Sequence, residues 1–233
     1  MSSNEEPQEN TSDVLTSESQ INVHVATLEK IDIELPGYIQ SDKLAFYIDN
    51  VFTKQECDEF IRKSEEIGFT MAKINIGRGR QKSAPEVRNN SRCYIDSFEE
   101  SENIWERIKQ FVPRVWNGHE ALGLNERLRV LRYDEGEYFA PHWDGSYQRD
   151  NKERSYITVQ LYLNEGFEGG ATTFLPLDDS SRSVKCIPKI GRILVFQHDI
   201  LHEGSVLESG RKYAIRTDVM YSPDIYVRDE VKD

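Results

Sequence analysis

Residues 155–164 read SYITVQLYLN, and alternation sorts their side chains onto two sides of one strand. Ile157, Val159, Leu161 and Leu163 fall on one side, and Tyr156, Thr158, Gln160 and Tyr162 on the other. The aliphatic side is expected to pack beneath helices. The opposite side is polar yet bulky, and is expected to line a cavity between two sheets, a feature that a purely structural sandwich does not need.

Residues 212–221, KYAIRTDVMY, repeat the pattern. Tyr213, Ile215, Thr217, Val219 and Tyr221 oppose Lys212, Ala214, Arg216 and Asp218, so two cations four residues apart are aimed in the same direction. Around these two strands lie further short β-branched and aromatic runs separated by Gly, Asp and Pro: RLRVLRY (127–133), YFAPHWD (138–144), ATTFLP (171–176), SVKCIP (183–188) and RILVFQH (192–198). Seven such runs in about ninety residues indicate a β-sandwich or barrel. Helical runs do not alternate with them and no internal repeat is present, which argues against a parallel doubly wound sheet.

Two helices are expected ahead of the strands. In TKQECDEFIRKSEEIGF (53–69), Thr53 and Glu56 form a capping-box pattern, Phe60, Ile61 and Ile67 share a face, and Gly68 ends the helix. After Asp96, Ile104, Ile108, Phe111 and Val112 recur at helical spacing until Pro113 kinks or ends the regular part.

Composition narrows the function. The chain has 41 acidic and 29 basic residues, a net charge of −12, so a nucleic-acid backbone is disfavoured as a bulk partner, although a local basic groove stays open. Cys57, Cys93 and Cys186 form no close pair, which fits a reducing compartment and neither a disulfide framework nor a thiolate zinc site. The N-terminal stretch has no basic then apolar leader, and no apolar run approaches the roughly 20 residues that span a bilayer. A soluble cytoplasmic or nuclear protein is expected.

His142 and Asp144, two apart in an expected strand, would project from one face and could share an ion. With one more histidine they supply the two imidazoles and one carboxylate of a non-haem iron(II) oxygenase, which leaves coordination positions open for a chelating oxoacid and dioxygen. His24, His119, His198 and His202 remain as third ligands. His198 and His202 are the real rivals. His202 is favoured because it begins the turn HEGSVLESG that runs directly into the Lys212 strand, with His198 left a structural hydrogen-bonding role. Trp143, between the two first ligands, should point away from the metal toward packing.

The stretches LRVLRYDEGEYFAPHWDGS, RSYITVQLYLNEGFEGGATTFLP and SVKCIPKIGRILVFQHDILHEGSVLESGRKYAIRTDVMY together resemble the 2-oxoglutarate oxygenase domain of the prolyl 4-hydroxylase group, over roughly residues 85 to 222. The resemblance rests on elements that occur in order: Y-x-x-G-x-x-F-x-x-H-x-D, G-G-A-T-x-F-x-P, P-x-x-G-R-x-L-V-F, and a His followed ten residues later by Lys. It implies a mainly β fold with flanking helices, the double-stranded β-helix or jelly roll. It places the metal on His142, Asp144 and His202, and the cosubstrate's distal carboxylate on Lys212 with Tyr133 as hydrogen-bond partner. Arg216 departs from the simplest family pattern. It is a second candidate for that carboxylate, or for a bidentate contact to an acidic group of the substrate.

The implied reaction is iron(II)- and 2-oxoglutarate-dependent hydroxylation of a C–H bond, using dioxygen, releasing succinate and carbon dioxide, with ascorbate as reductant. No catalytic group beyond the metal site is expected. Arg88, Asn90 and Arg92, in SAPEVRNNSRCYID (83–96), are candidate substrate contacts, and INIGRGRQK (74–82) a candidate mobile lid. The substrate is left as a small molecule, a free amino acid or a protein side chain, because a fold does not specify a target. Two rivals stand beside this reading: a nucleic-acid dealkylase, and a non-catalytic jelly-roll binding or scaffold protein that should have lost a ligand or the cation. Here all are present. The expected organisation is a disordered tail over 1–20, N-terminal strands and supporting helices over 21–127, a β-helix core carrying the site over 128–224, and a charged tail over 225–233.

Overall fold

The strand Arg154–Tyr162 lies at the centre of the larger of two sheets, between Ile193–Gln197 and Arg211–Ile225, and antiparallel to both. This is a computed structural model that describes residues 28–37, 43–75, 80–177 and 182–225. The expected tail over 1–20, His24, and residues 226–233 of the C-terminal tail lie outside the described residues, as do residues 76–79 of the expected lid.

Among the described residues the larger sheet runs Lys30–Asp32, Ala45–Ile48, Ile193–Gln197, Arg154–Tyr162, Arg211–Ile225, Arg127–Asp134, Ser91–Asp96 and Thr70–Met71. His119–Leu124 pairs with the far half of Arg211–Ile225, and Val115–Trp116 pairs with it in turn. The smaller sheet runs Phe139–His142, His202–Gly204, Thr172–Phe174 and Val184–Cys186. All of these pairings are antiparallel. The architecture is a double-stranded β-helix with two flanking helices. All seven runs read from the sequence are strands of these sheets.

The two sides of the larger sheet differ as alternation requires. Ile157, Val159, Leu161, Leu163, Ile215 and Val219 are buried in one cluster with Phe60, Ile104 and Ile108 of the helices. Each such aliphatic chain stabilises the fold by about 1.5–3 kcal/mol relative to exposure. On the other side Tyr162, Leu194, Phe196 and Ala214 meet Phe174 and Cys186 of the smaller sheet. Tyr156 breaks the pattern. A bulge between Ser155 and Ile157 takes it out of register, and its ring packs 5.6 Å from Tyr221 and 6.0 Å from His119, on the helix side and not in the cavity.

The first helix, α1 (Lys54–Ile67), begins at a complete capping box: Glu56 N donates to Thr53 Oγ1 at 3.3 Å and Thr53 N to Glu56 Oε2 at 2.8 Å. It buries Cys57, Phe60 and Ser64, while Ile67, in phase with Phe60, is 57% exposed because the last turn is left uncovered. The second, α2 (Phe98–Ile108), is capped by Ser97 and buries Ile104 and Ile108. Its regular part stops at Ile108, well before Pro113, and Phe111 and Val112 follow in tighter turns bonded to the carbonyls of Ile108 and Lys109. Arg107 of α2 donates to Glu56 of α1 at 2.6 Å, which ties the helices together over the sheet.

Candidate metal centre and active site

His142 ends its strand and His202 begins the neighbouring one, and the two are directly opposed in antiparallel register. Their ring centroids are 4.3 Å apart. Each ring is turned by the same local contact: His142 Nδ1 lies 2.8 Å from Ala140 O, and His202 Nδ1 lies 2.9 Å from Ile200 O. A carbonyl can only accept, so Nδ1 carries the proton and Nε2 presents its lone pair. Both Nε2 atoms converge on Asp144, at 3.8 Å from Oδ1 and 3.8 Å from Oδ2 respectively. One ligand atom from each of the three side chains lies within 4.8 Å of the others.

Asp144 reaches this position by another route than strand alternation. The strand stops at His142, and Asp144 is held beyond it by its own N–H donating to His198 O at 3.0 Å. Trp143 does point away from the ligands, but toward solvent, 57% exposed, and not into packing. Asp144 Oδ2 accepts from Thr158 Oγ1 at 2.6 Å, and Oδ1 lies 3.0 Å from Arg216 Nη2. Burial would push its carboxyl up, yet Arg216 and the imidazoles together hold it well below the usual carboxylate range. Burial, reinforced by His202, pulls His142 down to about 3, and burial lowers His202 as well. Near neutral pH the set is therefore two neutral imidazoles and one carboxylate.

Deeper in the same cavity lies Lys212, 2% exposed, with Nζ donating to Gly170 O at 2.6 Å. No carboxylate among the described residues lies within ion-pair distance of it, and burial pulls it down to about 8. Tyr133 flanks it, the ammonium lying 4.8 Å from the ring centroid. The glycine pair of the G-G-A-T stretch makes room for this lysine: a Cβ on Gly170, which has φ +64°, would lie 2.9 Å from Leu207 Cδ1 and 3.2 Å from Lys212 Cδ.

Residues 128–217 match the family model of the 2OG-Fe(II) oxygenase superfamily. The core that carries the candidate site is thus similar to this superfamily. A probable prolyl 4-hydroxylase 11 of Arabidopsis thaliana is 30% identical over 180 residues, 72% of this chain and 58% of that protein. Prolyl 4-hydroxylase 2 of the same plant is 28% identical over 62% of this chain and 48% of its own length. The chain thus spans about half the length of these curated relatives. Among solved structures, a prolyl hydroxylase from Trichoplax adhaerens, in complex with a peptide fragment of the hypoxia inducible factor oxygen degradation domain, superposes with a TM-score of 0.60 at 20% identity, over 75% of this chain and 82% of that one. A viral collagen prolyl hydroxylase from Paramecium Bursaria Chlorella virus-1, in its 2OG complex, gives 0.56 at 22% identity, over 77% and 97%. At these identities the structures show the shared fold.

In this core the other expected site residues fall as follows. Arg216 is engaged by two carboxylates, Asp144 at 3.0 Å and Asp218 at 3.1 Å, and Asp218 is also met by Arg129 at 2.8 Å. Arg88 lines the cavity with its guanidinium 4.4 Å from the Phe139 ring centroid, and its Nε donates to Asn90 Oδ1 at 2.7 Å. Arg92 stands farther out on the strand Ser91–Asp96 and bonds Gln81. His198 is buried 3.5 Å from Asp218 and outside the ligand set, and His119 sits in a strand beside Tyr156.

Thr158 was expected only to line the cavity, and Phe139 and Thr172 were given no role. Phe139 stacks on His142 at 3.6 Å, and Thr172 accepts from both Gln160 and Tyr162. Phe139 was visible as the aromatic of Y-x-x-G-x-x-F, and Thr158 as the small polar residue of the cavity-facing row.

Proposed function

We propose that the chain is an iron(II)- and 2-oxoglutarate-dependent hydroxylase, with the metal on His142, Asp144 and His202 and the cosubstrate's distal carboxylate on Lys212 and Tyr133. The observation that carries this reading is Lys212, a buried cation without a carboxylate partner in the cavity that also holds a two-imidazole, one-carboxylate set. Burying a charge unpaired is costly, and a ligand carboxylate would remove the cost. Both groups fit the residues present. The donor set is of the oxygenase type, and the uncompensated ammonium asks for an anion.

When bound, iron(II), 2-oxoglutarate and dioxygen supply oxidative decarboxylation to succinate and carbon dioxide, coupled to hydroxylation of a substrate C–H bond. The chain's own residues hold and shield that chemistry. The carbonyls of Ala140 and Ile200 fix the imidazole tautomers, Thr158 and Arg216 fix the carboxylate, and Phe139 and Phe196 pack against the imidazoles and keep water from that side. Arg216, with two carboxylates already, is the weaker candidate for the cosubstrate. Ascorbate is the proposed reductant for uncoupled turnovers.

On the substrate side, the relatives' names support a peptidyl target such as a prolyl side chain, with a small molecule as the alternative. The complete ligand set weighs against a vestigial binding protein. The test is succinate formation from 2-oxoglutarate by purified protein with iron(II), ascorbate and oxygen, beside a His142→Ala/Asp144→Ala variant. Succinate from the wild type alone is expected. Equal yields from both, or none from either despite bound iron, would contradict the proposal.

A further inference from the structure

Ten of the described arginines have an Asp or Glu within ion-pair distance: Arg62, Arg107, Arg114, Arg127, Arg129, Arg132, Arg149, Arg192, Arg211 and Arg216. Of those without one, Arg80, Arg154 and Arg182 are exposed, where water serves instead. Arg88 and Arg92 are different. Each is only 9% exposed, and each has neutral partners alone among the described residues. Arg88 Nε is taken by Asn90 Oδ1, and the nearby Tyr133 phenol stays protonated because burial raises it. Arg92 Nη2 donates to Gln81 Oε1 at 3.1 Å and its guanidinium stacks 4.8 Å from the Tyr94 centroid. In a chain with 41 acidic residues, two buried guanidinium groups lacking a carboxylate are a local arrangement and no accident of composition.

Arg88 lines the cavity, and Arg92 lies on the same side of the sheet. Segment 87–89 is bonded along the strand that bears His142: Ala140 N donates to Val87 O at 2.8 Å, and Tyr138 N to Asn89 Oδ1 at 2.7 Å. Arg88 is thereby laid over Phe139, which stacks on His142. Arg92 opposes Leu131, and Leu131 opposes Ala214; both of these line the cavity, so alternation places Arg92 on the same side of the sheet, farther toward its edge. The charges nearer the metal are already matched. Asp144 and Asp218 are met by Arg216 and Arg129, and Lys212 is reserved for the cosubstrate. Arg88 and Arg92 are left over.

We propose that Arg88 and Arg92 form a substrate-side anion site, and that the substrate of this cavity carries a carboxylate, either an acidic side chain of a peptide or a free acid. Guanidinium suits this use because its planar fork holds a carboxylate through two parallel bonds. Burial disfavours the charged form of both arginines, a cost that an incoming anion relieves. The inference rests on the functional proposal above in one respect, that Lys212 and not Arg88 takes 2-oxoglutarate.

Titration calorimetry on the full chain loaded with manganese(II), with and without 2-oxoglutarate, tests this using the capped tripeptides Glu-Pro-Glu, Gln-Pro-Gln and Lys-Pro-Lys and free L-glutamate. The acidic tripeptide or glutamate is expected to bind about tenfold or more tighter than the neutral tripeptide, and the basic one weakest. Whichever of the two anions binds tighter identifies the source. The preference should vanish in Arg88→Gln/Arg92→Gln, persist in part in Arg88→Lys/Arg92→Lys, and survive intact in Arg62→Gln, a charge-matched change on α1. Equal binding of acidic and neutral tripeptides, or a preference that survives the double glutamine variant, overturns the proposal. So does a large loss of 2-oxoglutarate affinity in that variant, which would give the arginines to the cosubstrate. Failure of the wild type to bind 2-oxoglutarate while the acidic preference holds would contradict the functional proposal alone.

Discussion

Arg216 Nη2 lies 3.0 Å from Asp144 Oδ1, so the carboxylate proposed to hold the metal is itself held by a partly buried guanidinium. Thr158 occupies the other oxygen at 2.6 Å, and Arg216 is steadied in turn by Asp218, which Arg129 meets at 2.8 Å. The result is an alternating chain of charges, Asp144, Arg216, Asp218 and Arg129, running from the metal centre into the larger sheet. Such supporting contacts set ligand geometry and affinity as much as the ligands do.

Arg216→Met should therefore do two things. It leaves the buried Asp144 without its guanidinium partner and Asp218 with Arg129 alone, which costs about 3–5 kcal/mol of stability. It also frees Asp144 to rotate, lowering metal affinity by about 10- to 100-fold. Urea denaturation and cobalt(II) titration read the two effects separately. Thr158→Val should show mainly the second, with a stability loss of about 1 kcal/mol.

Gly170→Ala should weaken 2-oxoglutarate binding and spare the metal. The added methyl would meet Leu207 and the stem of Lys212, at a φ of +64° that costs an L side chain about 1–2 kcal/mol. Metal affinity within about twofold of wild type, with cosubstrate affinity reduced about tenfold, is the expected pattern in paired titrations. Equal loss of both would mean that the glycine supports the whole cavity and not the lysine.

Lys212 gives the apo protein a distinctive pH dependence. Burial lowers it from 10.5 to about 8, so between these values the unfolded chain binds a proton that the folded chain has released. Stability must then rise with pH across that window, by about 3 kcal/mol at most, and the penalty is fully present below pH 8. Denaturation at a series of pH values should show this rise in wild type and not in Lys212→Met. Binding should show the opposite sign: 2-oxoglutarate needs the ammonium, so its affinity falls by about tenfold per unit above pH 8.

Much of this arrangement was legible in the sequence because it depends on local periodicity. Alternation in 155–164 and 212–221 separated the helix-facing residues from those lining the cavity, and the Thr53 and Glu56 pair marked the start of α1. Tyr156 escaped because a bulge costs one residue of register and has no local signature here. The strand Ser91–Asp96 was not singled out, although Cys93 and Ile95 alternate toward the core. The pairing of Arg216 with Asp144 joins residues 72 positions apart and depends on a main-chain bond from Asp144 to His198, which no short pattern encodes. His202, favoured over His198 from the turn that leads into the Lys212 strand, lies opposite His142 in register, a pairing no short pattern encodes.

One cavity is proposed to bind both a metal ion, through His142, Asp144 and His202, and a dicarboxylic oxoacid, through Lys212. This is tested most directly by titrating 2-oxoglutarate into manganese(II)-loaded and metal-free protein, for wild type and Lys212→Met. Saturable binding to the metal-loaded wild type is expected, weakened at least about 100-fold both by removal of the metal and by Lys212→Met, while that variant keeps its fold and its metal affinity. Binding of equal strength in wild type and Lys212→Met, or binding indifferent to the metal, would contradict the proposal.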